Sequence, residues 1–176
     1  MLLKTLTQLQ LQKKLISIDR DCHNEELTGH LVTFNTEFVL FKEITEDGRY
    51  DGFSLFETDQ IEQLFWGNRE HDAIAALIPE GEKVKTPKLT ANTFEEAIIE
   101  LNALYSSLCI FEHHDEDSFA VANITEYDHE WLSLKTYGPK RSLSAMEKLI
   151  KLENVSRVSV DSLYQNNIVA LHDKGL

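Results

Sequence analysis

Cysteine is nearly absent from this chain. Of 176 residues only Cys22 and Cys109 are cysteines, in unrelated local contexts, so no disulfide framework of the secreted kind is expected and the implied compartment is reducing. No apolar run is long enough to span a bilayer, and the opening "MLLKTLTQLQLQKKL" is interrupted by Lys4, Thr5, Gln8, Gln10 and Gln12 where a signal peptide needs an unbroken apolar centre. The expectation is a cytoplasmic protein that does not contact membranes. Basic residues are also scarce. Seventeen lysines and arginines against 30 acids give a net charge of −13, which repels phosphate backbones and disfavours bulk nucleic-acid affinity. No nucleophile elbow, phosphate-binding glycine loop, dinucleotide fingerprint or zinc knuckle occurs. With 42% hydrophobic and 27% charged residues, the chain can nevertheless form an ordinary core.

What is present is self-similarity. A shift of 93 positions aligns two halves without a gap from Ile16 to Lys42. "LVTFNTEFVLFK" (31–42) falls on "ITEYDHEWLSLK" (124–135), so that Phe34 meets Tyr127, Asn35 meets Asp128, Glu37 meets Glu130, Phe38 meets Trp131 and Lys42 meets Lys135. With one extra residue in the second half, Asp59, Gln60, Ile61 and Leu64 correspond to Glu153, Asn154, Val155 and Val158. Two related domains follow, residues 1–83 and 93–176, joined by a linker at 84–92 within a stretch that holds Pro79 and Pro87.

Each half has the same grammar. "LLKTLTQLQLQKKL" and "FEEAIIELNALYSSL" repeat apolar residues at helical spacing, and Thr93 followed by Glu96 is a capping-box pattern. Strand signals follow: "LISI" and "LCIF", "ELTGHLVTF" and "SFAVANITEY", "EFVLFKEI" and "EWLSLKTY". Asn35 and Asp128 mark the turn between the second and third strands. In the first half Asp47-Gly48 predicts a tight two-residue hairpin; in the second, Gly138-Pro139 opens a longer loop carrying Lys140 and Arg141. Both halves end in a short amphipathic segment, the second with capping-box spacing at Ser162 and Gln165.

This order of helix, strand, glycine-bearing strand (Gly29), aromatic-acid or aromatic-amide turn, apolar strand, hairpin, "DQI" or "ENV" turn and final strand resembles the Sm-like fold, in tandem. The resemblance implies a mainly β protein with short helices: two Sm-like or SH3-like five-stranded antiparallel barrels, each preceded by a helix, curled so as to remove exposed sheet edges. It further implies association through edge strands into rings or pseudo-rings, and often RNA binding at the loops. Where such RNA binders carry an asparagine at the start of the third strand this chain has Val39 or Leu132, and where they carry a basic-glycine pair it has "WGN" (66–68) or "VDS" (160–162). The first 92 residues hold ten basic and sixteen acidic side chains, the rest seven and fourteen, so both halves are acidic.

The chemical candidates each have a plainer reading. "EHHDED" (112–117) collects His113, His114, Asp115 and Asp117, residue types that suit zinc, iron or manganese. Under the 93-residue shift it falls on a turn, and adjacent strand residues point to opposite faces, so a solvated hairpin tip is the preferred reading and no metal or other cofactor is expected. Cys22-His23 are neighbours, whereas catalytic pairs meet across a fold. The acidic run 43–51 could meet a basic partner or simply stay in water. Phe53, Phe56, Phe65 and Trp66 form an aromatic stripe that suggests an interface. The leading expectation is a non-enzymatic interaction or scaffold protein that binds a protein partner or itself. The alternatives are an RNA-associated regulator using Lys140 and Arg141 with Lys83, Lys85 and Lys88, and a metal-dependent enzyme with its site in the His/Asp/Glu loop.

Overall fold

A computed structural model describes residues 1–21, 26–138 and 145–176. The chain divides into two compact units, Met1–Lys88 and Leu89–Leu176. The first runs α1 (Leu2–Leu11), β1 (Ile16–Arg20), β2 (Leu27–Phe34), β3 (Phe38–Ile44), β4 (Tyr50–Glu57), a 3-10 turn (Thr58–Gln60), β5 (Ile61–Trp66) and α2 (Arg69–Leu77). The second repeats that order: α3 (Phe94–Leu104), β6 (Leu108–Glu112), β7 (Asp115–Tyr127), β8 (Trp131–Thr136), β9 (Glu147–Lys151), a 3-10 turn (Leu152–Asn154), β10 (Val155–Val160) and α4 (Leu163–Asp173).

The expectation of two five-stranded barrels is not met. The strands of each unit form an open order instead, β5-β1-β2-β3-β4 in the first and β10-β6-β7-β8-β9 in the second. Closing the first unit would require β5 to pair with β4 as well as with β1, yet those two strands stand at opposite ends of its five-strand order. Alternating apolar residues mark where strands are and which face is buried, but carry no information on whether the two outermost strands meet. The hairpin between β3 and β4 is also longer than its Asp47-Gly48 signal suggests. Thr45 N–H donates to the Arg49 carbonyl at 2.8 Å, leaving a loop of residues 45–49 in which Thr45 Oγ1 donates to Asp47 Oδ1 at 2.5 Å.

In the first unit α1 lays Leu6 and Leu9 on one face of the sheet, against Ile16, Ile18, Leu27, Leu31, Val39, Phe41 and Phe56. Ile16 and Ile18 lie two apart on β1 and so share this face, while Ser17 between them points to the other, where α2 packs. There Ile74 of α2 joins Leu15 and Ile44. In the second unit α3 buries Phe94, Ala97, Ile98 and Leu101, and Ile168 of α4 packs with Cys109, Phe111 and Val121. Each unit also buries one arginine against an aromatic ring, Arg20 over Phe56 at 5.4 Å and Arg157 over Phe111 at 3.9 Å, a geometry in which the ring face offsets part of the cation's desolvation.

Local devices recur about 93 residues apart. Asn35 Oδ1 accepts from the N–H groups of Glu37 and Phe38 at 2.7 and 2.9 Å; Asp128 Oδ1 accepts from those of Glu130 and Trp131, both at 2.8 Å. Phe38 stands opposite Glu57 and Trp131 opposite Lys151. Gln10 Nε2 donates to the Val32 carbonyl as Asn102 Nδ2 does to that of Ile124. Asn68 caps α2 and Ser162 caps α4, each preceded by a residue in the left-handed region, Gly67 at φ 77° and Asp161 at φ 61°. Thr93 and Glu96 make the full reciprocal capping box.

Candidate functional site

The aromatic stripe is divided by the fold. Phe53 and Phe56 lie on β4 with no exposed surface, and Phe56 belongs to the cluster under α1. They are core residues. Phe65 and Trp66, on β5, are 37% and 47% exposed. Trp66 stands opposite Ile16 and Phe65 opposite Ser17; since cross-strand neighbours share a face, the two rings point to opposite sides of the strand. Strand β5 therefore offers aromatic surface on both faces, and it ends the strand order. In the second unit β9 ends the strand order; Leu149 there is 61% exposed and Met146 just precedes the strand, also exposed. Both ends carry main-chain N–H and C=O groups on an outer side with no strand beside it among the described residues.

The histidine-rich stretch forms a turn. His113 and His114 join β6 to β7, His113 N–H donates to the Asn154 carbonyl at 2.9 Å, and the His114 imidazole lies 3.8 Å from the Glu112 carboxylate, which Lys148 also contacts. His113, His114 and Asp115 are exposed. The side chain of Asp117 lies outside the described residues, as do Cys22, His23, Lys140 and Arg141. Among the described residues no group of three or more His, Cys, Asp or Glu side chains is arranged to hold a metal ion.

The acidic run has a neighbour the sequence does not reveal. Glu43, Glu46 and Asp51 line a cleft of about 420 Å³ together with Glu26 and Glu70, brought there from the start of β2, β3 and the loop after it, β4 and α2. Beneath α2, the His71 Nε2 sits 3.0 Å from Ser17 Oγ, which in turn lies 2.7 Å from Thr28 Oγ1. Ser17 and His71 are both buried, so this pair fastens α2 to the sheet. Gln165 occupies the matching helix position in the second unit, its Nε2 donating to the Ser107 carbonyl at 2.6 Å. Spacing gave no sign of the His71 contact, because Ser17 lies 54 residues away.

The segment read as a linker, 84–92, lies outside helices and strands and is mostly exposed, but Pro87 within it is buried, and Glu82 just before it reaches Lys42 at 4.0 Å. Among the described residues no helix is long and apolar enough to cross a membrane. No protein-family model, curated protein or solved structure matches this chain.

Proposed function

We propose that this protein is a non-enzymatic interaction module, a tandem repeat of one Sm-like unit, that associates with further copies of itself through β5 and β9. The observation that carries the reading is the exposure of Phe65 and Trp66 on a strand that ends the sheet. Sheet proteins ordinarily blunt such an edge with lysine, proline or a bulge that turns it away. The sequence of β5, "IEQLFW", contains neither lysine nor proline and has one charge, Glu62. Strand β9, which ends the strand order of the second unit, reads "EKLIK" and is rich in lysine. An edge bearing an acid and two aromatics complements one bearing lysines and Leu149, and pairing one chain's β9 with the next chain's β5 is a head-to-tail contact that leaves a fresh edge at each end. Edge association is also what the Sm-like resemblance implies.

Sedimentation over a range of protein concentrations tests this. Species larger than the 20.2 kDa monomer are expected to grow with concentration, and Trp66→Lys combined with Phe65→Lys is expected to leave only monomer while the far-UV spectrum and melting temperature stay near wild type. A wild-type chain that remains monomeric throughout, or a double variant that associates as before, rejects the reading.

A further inference from the structure

Against a net charge of −13, one cleft of the first unit is cationic. It is a cavity of about 400 Å³ where the end of α1 meets β2 and β3, within the size range of small-molecule sites, about 300–1,000 Å³. Its walls are apolar, from Leu9, Leu31 and Val32; its charged groups are Lys13, Lys14 and Lys42, with His30 beside them. Glu82, 4.0 Å from Lys42, is the one carboxylate paired with these lysines among the described residues. The lysines come from a helix end and a strand roughly 30 residues apart, and only the fold unites them.

The way α1 ends supplies a second, independent observation. Lys13 N–H donates to the Gln10 carbonyl and Lys14 N–H to that of Leu9, both at 3.0 Å, the two bonds of a Schellman cap in which the residue in Lys13's place adopts the left-handed conformation. Lys13 does so, at φ 50°. Glycine is the usual occupant because it has no Cβ to crowd the preceding carbonyl, so a lysine there is a strained choice that a cap alone does not call for, and strain of this kind collects at functional sites. The second unit makes the contrast: α3 ends with Tyr105 in extended backbone, the residues matching Lys13 and Lys14 are Ser106 and Ser107, and Asn123 stands where His30 does, opposite Lys135 as His30 is opposite Lys42. The shared scaffold, including the Gln10 and Asn102 bonds, is kept, while of the cations only Lys42 has a counterpart, Lys135.

We propose that this cleft binds a small organic anion, an apolar body carrying one phosphate or carboxylate, with Lys13 and Lys14 holding the charged group and Leu9, Leu31 and Val32 the body. His30 adds a polar contact. Its Nδ1 lies 3.1 Å from the Lys14 carbonyl, so Nδ1 carries the proton and Nε2 is left as an acceptor in the neutral ring. Burial, and after it the charge of Lys42, hold its pKa below the ordinary histidine value despite the opposing backbone bond. An anion placed among Lys13, Lys14, Lys42 and Glu82 would favour the imidazolium, so affinity is expected to rise as pH falls.

Amide-resolved NMR titration of the full chain tests the proposal with three probes: adenosine monophosphate, octanoate and inorganic phosphate. Either organic probe is expected to shift resonances of the end of α1 and of β2 around His30 at concentrations up to about 1 mM, which of the two binds tighter deciding between phosphate and carboxylate; inorganic phosphate is expected to bind more weakly than both. Lys13→Gly is expected to weaken binding about tenfold and yet raise the melting temperature, since glycine relieves the cap. Lys14→Gln is expected to weaken it without that gain. No shift with any probe, inorganic phosphate binding as tightly as the organic anions, or a Lys13→Gly protein of undiminished affinity each overturns it.

Discussion

Strands β5 and β10 stand at the same place in their units, each following a 3-10 turn and leading into a capped helix, yet they meet opposite fates. Every residue of β10, "VSRVSV", is buried, whereas β5, "IEQLFW", has none that is. The more apolar and aromatic of the two is the exposed one. Each stands at one end of the strand order of its own unit, β5 beside β1 and β10 beside β6. Burial thus does not follow from the strand's own hydrophobicity, and Phe65 and Trp66 are apolar groups at an exposed position.

That contrast makes its largest prediction on the stripe itself. Phe56→Ala removes a fully buried ring and is expected to lower unfolding free energy by about 3–5 kcal/mol, while Trp66→Ala, at a solvent-facing position, is expected to change it by less than about 0.5 kcal/mol; urea denaturation of the two variants compares them directly, and equal losses would mean that Trp66 is packed in solution.

A second pair concerns matching positions in the two units. A Cβ added at Gly29 would sit 1.9 Å from the Lys42 carbonyl oxygen, but the matching residue of the second unit is Ala122, fully buried and opposite Thr136. Gly29→Ala is expected to cost about 1–3 kcal/mol through overpacking against main chain that has little room to move. Ala122→Gly is expected to cost only about 0.5–1 kcal/mol, from backbone entropy. Chevron or equilibrium denaturation data that rank them the other way would show that the two strand crossings do not match as their registers suggest.

The turns at Asn35 and Asp128 make the same two hydrogen bonds with different chemistry. Asn35→Ala is expected to lose about 0.5–1.5 kcal/mol for each bond, independent of pH in the acid range. Hydrogen bonds from the N–H of Glu130, then that of Trp131, hold the Asp128 carboxyl below its ordinary value of 3.8. A depressed folded-state pKa contributes stability that is present above 3.8 and disappears as pH falls through the lower, folded value. Replacing Asp128 with Asn is therefore expected to flatten that part of the stability profile below about pH 4, and a wild-type and variant pair with superimposable acid limbs would contradict the assignment. This is the smallest effect of the set, since the group is exposed.

How much of this was legible in the residues depends on the range of the interaction involved. The capping box at Thr93 and Glu96, the Asx-type turns at Asn35 and Asp128, and the helical spacing of Leu2, Leu6 and Leu9 are readable because each rests on contacts within four residues, where sequence distance and spatial distance nearly coincide. The repeated order of elements follows from the same local signals. Asp47-Gly48 was readable as a turn but not as its five-residue length, because Thr45 and Arg49 add a main-chain bond of their own.

The sequence by itself thus determined the elements, their order, the acidity of both halves and the turns that join the strands. Only the tertiary structure decided that the strand order of each unit stays open, that Phe53 and Phe56 enter the core while Phe65 and Trp66 do not, and that Lys13, Lys14, His30 and Lys42 share one cleft. These outcomes depend on which strands lie side by side and on groups 12 to 54 residues apart meeting, and a periodic pattern along a chain records which face is buried but not what lies against it.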